Sequence, residues 1–350
     1  MLFSTQGLSQ PAANCTVSGA RAVRPGVQGA PVIRPELTTP IDRRQLLAAG
    51  VAAAAAVTGM AVLHDAAPDA AAQPDHGQAQ ALPPRARLPV AYIPHGGGPW
   101  PFVDLPLGDK AELAQLAAYL RKLALVPAEA PKALLVVSAH WEEAVPTVMA
   151  AAQPPMLYDY YGFPPEAYQV QWPAPGAPQL AQRVQSLLEE AGIRSGSDAK
   201  RGFDHGTFVP LKLAWPDAKI PTLQLSLKQG LDPAEHLAIG RALAPLRQEG
   251  VFLIGSGMSY HNMRGFGQPQ ARQASQEFDG WLQKSMAMPA AERDRQLEQW
   301  LQAPAARQVH PRPEHLLPLM VIAGAAQGDT GRAAYASTLM GVAISAYHFG

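Results

Sequence analysis

The sequence predicts an α/β fold: a single domain with a central mixed sheet flanked by helices and a candidate metal site at the ends of strands. Three observations predict it. Strand-like and helix-like patterns alternate from residue 88 to the C-terminus. The run Ala133–Ala139 is apolar throughout, as in a strand covered on both faces. No solenoid-type repeat and no linker divides this stretch.

Residues 88–94 form a short apolar strand ending at His95. Residues 109–123 carry Leu113, Leu116, Ala117, Leu120 and Leu123 on one helical face. Strands follow at 133–139 and 147–151, then a loop rich in proline and aromatics at 154–175 and a helix at 177–191. The loop around Arg201–Gly206 precedes a strand at 220–227, a helix at 233–249 and a strand at 251–255. Helices are expected at 271–286, 290–302 and 313–326, and a closing strand at 336–347.

The composition limits the chemistry. Lys+Arg and Asp+Glu both number 28, so no bulk charge favours nucleic acid or an anionic membrane. Charged residues make up only 16% of the chain, while the 47% hydrophobic fraction is ample for a core. Cys15 is the one cysteine, which excludes an internal disulfide and a Cys-ligated zinc site. Metal or acid/base chemistry must therefore rest on His, Asp and Glu, and there are ten histidines.

The first part of the chain reads as an address. Residues 1–64 are expected to be a disordered leader and a twin-arginine-type signal, with Arg43-Arg44 preceding an Ala-rich apolar run to about Leu63. Residues 65–87 are expected to be a flexible linker, and the folded domain is expected to occupy 88–350. The expectation is export to the periplasm by the twin-arginine machinery. An uncleaved run would instead act as a membrane anchor, although about 17 residues is short for a bilayer span.

Five histidines are candidates for one site. His95 follows the first strand in His95-Gly96-Gly97-Gly98. His140 ends the next in Ser138-Ala139-His140-Trp141. His205 is read as a loop residue in Asp204-His205-Gly206. His261 follows the strand at 251–255, and His315 opens the helix expected at 313–326. One histidine after a strand is ordinarily just a hydrogen-bonding residue. Three in glycine-flanked turns point to a metal or acid/base site. His236, His310 and His348 are read as structural, and His64 and His76 fall outside the domain.

Other chemistries fail on the same residues. His95-Gly-Gly-Gly98 resembles an esterase oxyanion segment, but no G-x-S-x-G follows. His140-Trp-Glu142 has the spacing of zinc deaminases, which need cysteines absent here. H-E-x-x-H, P-loop and dinucleotide fingerprints are also absent. A His-rich mononuclear site remains, suited to iron or zinc.

Taken with Tyr161-Gly162-Phe163-Pro164, Tyr168, Pro173-Ala-Pro-Gly176, Gly255-Ser-Gly257, His261-Asn262 and His310-Pro…Glu314-His315-Leu-Leu-Pro318, these motifs resemble the bacterial and plant 4,5-DOPA extradiol dioxygenase family. That family lies within the class III extradiol ring-cleavage dioxygenases. The resemblance runs from about Pro89 to Gly350, in the same order and spacing. It implies an extradiol dioxygenase that opens a catechol-type, DOPA-like ring with O2, using one Fe(2+) or Zn(2+) per subunit. His95, His140 and His315 would ligate the metal, His261 would be a fourth ligand or the base beside it, and His205 would hydrogen-bond substrate or oxygen. Trp141, Tyr161 and Phe163 would line the ring. The alternatives are a zinc-binding protein of the same fold without oxygenase activity and a zinc hydrolase. The sequence leaves the oligomeric state open.

Overall fold

The computed structural model describes residues 87–106 and 108–350. The expected leader, the twin-arginine signal and the linker up to residue 86 lie outside the described residues. Among the described residues, no helix is long and apolar enough to cross a membrane.

The strands are β1 (Val90–Pro94), β2 (Ala133–Glu143), β3 (Thr147–Met149), β4 (Gly196–Asp198), β5 (Thr222–Lys228), β6 (Val251–Gly257), β7 (Gly331–Leu339) and β8 (Val342–Phe349). The helices are α1 (Lys110–Arg121), α2 (Pro178–Glu190), α3 (His205–Ala214), α4 (Pro233–Leu243), α5 (Pro269–Met286), α6 (Ala290–Glu298), α7 (Ala306–Val309) and α8 (Leu317–Ala326). All eight strands form one mixed sheet, ordered β4-β3-β5-β2-β6-β1-β8-β7. The middle four, β5-β2-β6-β1, are parallel, with Val90 opposite Leu253 and Leu135 opposite both Leu223 and Leu253. β8 joins β1 antiparallel at one side, and β3 joins β5 antiparallel at the other.

The parallel block explains the continuous apolar runs. Every residue of β1 and β6 is buried, because helices cover the sheet. α8 packs on β1, β2 and β6 with α4 against it, and α3 packs on β2, β6 and α1. Helix starts follow local rules. Asp109, Asp204 and Asp232 cap α1, α3 and α4 by accepting backbone N–H groups, and proline opens α2, α4 and α5.

α8 is apolar and buried at every residue, so its last carbonyls need partners from elsewhere. Two buried arginines supply them. Arg247 donates to the Ala325 and Ala326 oxygens at 3.0 and 3.2 Å, and Arg293 to those of Ala323 and Gln327 at 2.8 and 3.0 Å. Their positive charge also suits the C-terminal end of the helix dipole.

Three expectations need correction, and one strand was missed. His205 does not lie in a loop; it is the first residue of α3, which the capping Asp204 initiates. The helix expected at 313–326 starts only at Leu317, because Pro313–Leu316 form a turn closed by the Leu316 N–H on the Pro313 oxygen at 2.8 Å. His315 therefore sits in that turn. The single closing strand is a hairpin, since Met340 and Gly341 both take positive φ and pair Leu339 with Val342 across a two-residue turn. The short strand β4 was not expected at all.

Candidate metal centre

The parallel topology brings strand ends to one rim. His95 follows β1 directly, His140 lies near the end of β2, and His261 follows β6 by four residues. Hydrogen bonds lock the segments together: the His95 N–H donates to Gly257 O at 3.2 Å, and the Met258 N–H to His315 O at 3.1 Å. Tyr92 Oη also donates to His315 O, at 2.8 Å. Gly257 is required here, since a Cβ at that position would lie 2.1 Å from His315 O. Gly96 has φ +78° and leaves room for the Trp100 indole, whose Nε1 donates to His95 O at 2.8 Å.

The five candidate histidines form one cluster. Ring centroids are 4.8 Å apart for His95–His140, 5.2 Å for His95–His315, 4.8 Å for His140–His315 and 4.0 Å for His140–His205. His261 and His315 stack at 3.3 Å with 19° between their planes. His95 is 1% and His315 3% exposed, whereas the His140 and His261 side chains are 20% and 22% exposed. The first two form the floor, and solvent reaches the site past the other two.

Nδ1 of every ring but that of His140 lies within 3.0 Å of an acceptor oxygen. His95 Nδ1 donates to Gly96 O at 2.7 Å. His205 Nδ1 donates to Asp159 Oδ1 at 2.9 Å, and His140 Nδ1 lies 3.6 Å from Asp159 Oδ2. His261 and His315 Nδ1 both lie 3.0 Å from Glu314 Oε1. Where Nδ1 carries the proton, Nε2 keeps a free lone pair, the form a metal ligand needs.

The Nε2 atoms converge. Those of His95 and His140 stand 3.2 Å apart. Two imidazoles on one ion, at about 2.0–2.1 Å each and near-tetrahedral angles, have nitrogens roughly 3.3 Å apart. His315 Nε2 is buried without a hydrogen-bond partner. Ligand atoms of His95, His140 and His315 all lie within 4.8 Å of one another; His261 groups instead with Glu314 and His315, and His205 with His140 and Asp159. A neutral three-nitrogen set of this kind fits a divalent ion.

The electrostatics agree. Burial, reinforced by the neighbouring imidazoles, holds His95, His140 and His315 well below the ordinary histidine range, so they are neutral lone-pair donors. Burial pushes Asp159 and Glu314 up, but their histidine contacts outweigh it, and both carboxyls stay below their ordinary values. Two anions thus flank the cluster without belonging to the three-histidine set.

The aromatic candidates divide. The Phe163 ring covers Gly98, where a Cβ would come within 2.7 Å of it. Trp141 is buried, with Arg201 over its face at 4.8 Å and its Nε1 donating to Glu143 at 2.9 Å. Tyr161 is 92% exposed, whereas Tyr160 is buried with its ring centroid 5.8 Å from that of His205. His236, His310 and His348 are structural, bonded to Asp232 O, Ser259 O and Tyr119 Oη at 2.7, 3.0 and 2.8 Å.

Sequence reasoning missed Asp159 entirely and left Glu314 without a role. Asp159 carries the only charge between residues 154 and 165, in an otherwise apolar and aromatic stretch, and that was the available signal.

Residues 91–348 match the family model for the catalytic LigB subunit of aromatic ring-opening dioxygenase. The chain belongs to this family. As a LigB-family enzyme it is an oxidoreductase, an extradiol aromatic ring-opening dioxygenase. Dioxygenase tasH of Hapsidospora irregularis is 36% identical over 277 residues, spanning 75% of this chain and 85% of the relative. The 4,5-DOPA dioxygenase extradiol of Beta vulgaris is 43% identical over 206 residues, spanning 58% and 76%. The crystal structure of an uncharacterized Escherichia coli K12 protein superimposes with a TM-score of 0.62 at 30% identity, covering 75% of this chain and all of that one. Membership of the LigB family and the mixed-sheet fold agree with the expectations from sequence.

Proposed function

We propose that this LigB-family enzyme is a metal-dependent dioxygenase that opens the ring of a catechol-type, DOPA-like aromatic with O2. The observation that carries the reading is the convergence of the His95 and His140 Nε2 atoms at 3.2 Å beside the buried, unpartnered Nε2 of His315. These three residues would hold one Fe(2+) or Zn(2+), both of which suit imidazole. A bound divalent ion supplies Lewis acidity toward the two catechol hydroxyls and toward O2.

The chain's own residues do the rest. His261 has Nδ1 engaged by Glu314, so its Nε2 is the atom that takes a catechol proton. His205, held by Asp159, presents Nε2 as a hydrogen-bonding group for substrate or oxygen. Phe163 over Gly98 would pack against one side of an aromatic ring. The name of the Beta vulgaris relative, 4,5-DOPA dioxygenase extradiol, supports a DOPA-like catechol.

The test is anaerobic loading of the purified chain with Fe(2+), followed by a catechol panel under O2. A yellow ring-opened product with matching O2 uptake is expected, and no turnover on any catechol sinks the reading. Export belongs to the same proposal, on the strength of Arg43-Arg44 ahead of the Ala-rich run. Replacing both arginines by lysine should retain the protein in the cytoplasm; undiminished export refutes a twin-arginine route.

A further inference from the structure

We propose that Glu314 is the positioning residue of the candidate metal centre: one of its oxygens fixes both His315 and His261. The inference rests on reading His95, His140 and His315 as metal ligands. Oε1 of Glu314 lies 3.0 Å from Nδ1 of each ring. The two rings stack at 3.3 Å with 19° between their planes, so one acceptor holds both at the same edge. His315 Nδ1 donates to this oxygen and His261 Nδ1 lies at ion-pair distance from it, so a proton on each Nδ1 would leave a bare Nε2 on the far side. His315 would then offer its unpartnered buried nitrogen to the ion, with His261 stacked beside it.

The carboxylate is itself paired with a cation, although its Oε2 makes no hydrogen bond. Its side chain is 13% exposed, and Arg312 Nη1 lies 3.5 Å from Oε2. Arg312 is anchored in turn by two bonds of 2.5 Å to Glu142, near the end of β2. Pro311 and Pro313 flank Arg312 and restrict the backbone leading to Glu314. A carboxylate hydrogen-bonded to a ligating imidazole raises its basicity and fixes its orientation. Glu314 contacts a ligand ring and the ring stacked on it through a single atom, so metal affinity and the setting of His261 are linked.

The experiment measures Zn(2+) affinity of the full metal-free chain by competition with a chromophoric chelator, together with the visible spectrum of the Co(2+)-loaded chain. Glu314→Gln keeps the size and an acceptor oxygen but loses the charge. It should bind Zn(2+) about 10- to 100-fold more weakly and shift the Co(2+) bands, with the metal-free urea midpoint unchanged. Glu314→Asp keeps the charge and should bind more tightly than Glu314→Gln, which preserves the test if the glutamine variant folds poorly. Affinity within twofold of wild type in Glu314→Gln, or a wild-type chain that binds no Zn(2+), overturns the inference. A chain that binds Zn(2+) as expected but opens no catechol sinks the functional reading alone.

Discussion

Asp159 Oδ1 accepts two hydrogen bonds from His205, one from the backbone N–H and one from Nδ1, each 2.9 Å long. The first satisfies an otherwise orphaned N–H at the start of α3, and the second fixes the imidazole. Asp204 caps the same helix from the other side, accepting from Ser138 Oγ at 2.8 Å and from Gln224 Nε2 at 2.8 Å. The helix start and the orientation of His205 are therefore one structural unit, tied to β2 and β5 through Asp204.

Asp159→Ala removes the ring contact and leaves the Asp204 cap. The expected result is a fall in kcat of about 10- to 100-fold, with a smaller change in KM, in steady-state O2 uptake on the best catechol. Bound metal should stay close to one ion per chain, since the three-histidine group does not include Asp159. Wild-type kcat in this variant would refute a role for Asp159 in setting His205.

The division between ligands and neighbours is open to direct count. Alanine at His95, His140 or His315 removes one of three converging nitrogens, and metal content after dialysis should drop well below one per chain. Alanine at His205 or His261 should leave the metal in place and depress turnover. Loss of metal from His261→Ala would reinstate His261 as a fourth ligand.

Much of this site was legible because glycine betrays it. His95 sits between the end of β1 and Gly96, and His261 lies four residues past Gly257, which ends β6; such rims gather ligand sites. What stayed hidden has physical reasons. α3 carries Pro210 within ten residues and is buried at nearly every position, so it shows no amphipathic period. The β7–β8 hairpin turns on Met340-Gly341 rather than an Asn-Gly or Asp-Gly pair. Asp159 reaches His205 across 46 residues of chain, a pairing that no local pattern encodes. Arg247 and Arg293 are buried for the sake of carbonyls on α8, a need that exists only once the helices pack.

Gly257 is a backbone position on which the metal site depends. A methyl group there would meet His315 O at 2.1 Å and the Tyr92 ring at 3.1 Å, so the His315 turn must move. Overpacking of this kind costs about 1–3 kcal/mol. Gly257→Ala should lower the urea midpoint accordingly and weaken Zn(2+) binding more than it perturbs far-UV circular dichroism. Unchanged Zn(2+) affinity would mean that the turn tolerates the shift.

Acid should destabilise the metal-free protein through histidines that are buried neutral. Burial lowers His310 to about 3 and His348 to about 4, against an ordinary value of 6.5. Between the folded and unfolded values, the unfolded chain binds protons that the folded chain excludes, so stability rises with pH. The stability is fully present above about pH 6.5 and is lost as pH falls toward 4 and then 3. The neutral site histidines His95, His140 and His315 add a loss of the same sign. Urea midpoints measured from pH 4.5 to 7.5 should therefore climb with pH. His310→Gln can still donate to Ser259 O but cannot titrate, so its climb should be shallower. A slope identical to wild type would show that His310 charges without penalty in the folded state, against its complete burial beside Phe278 and Trp300.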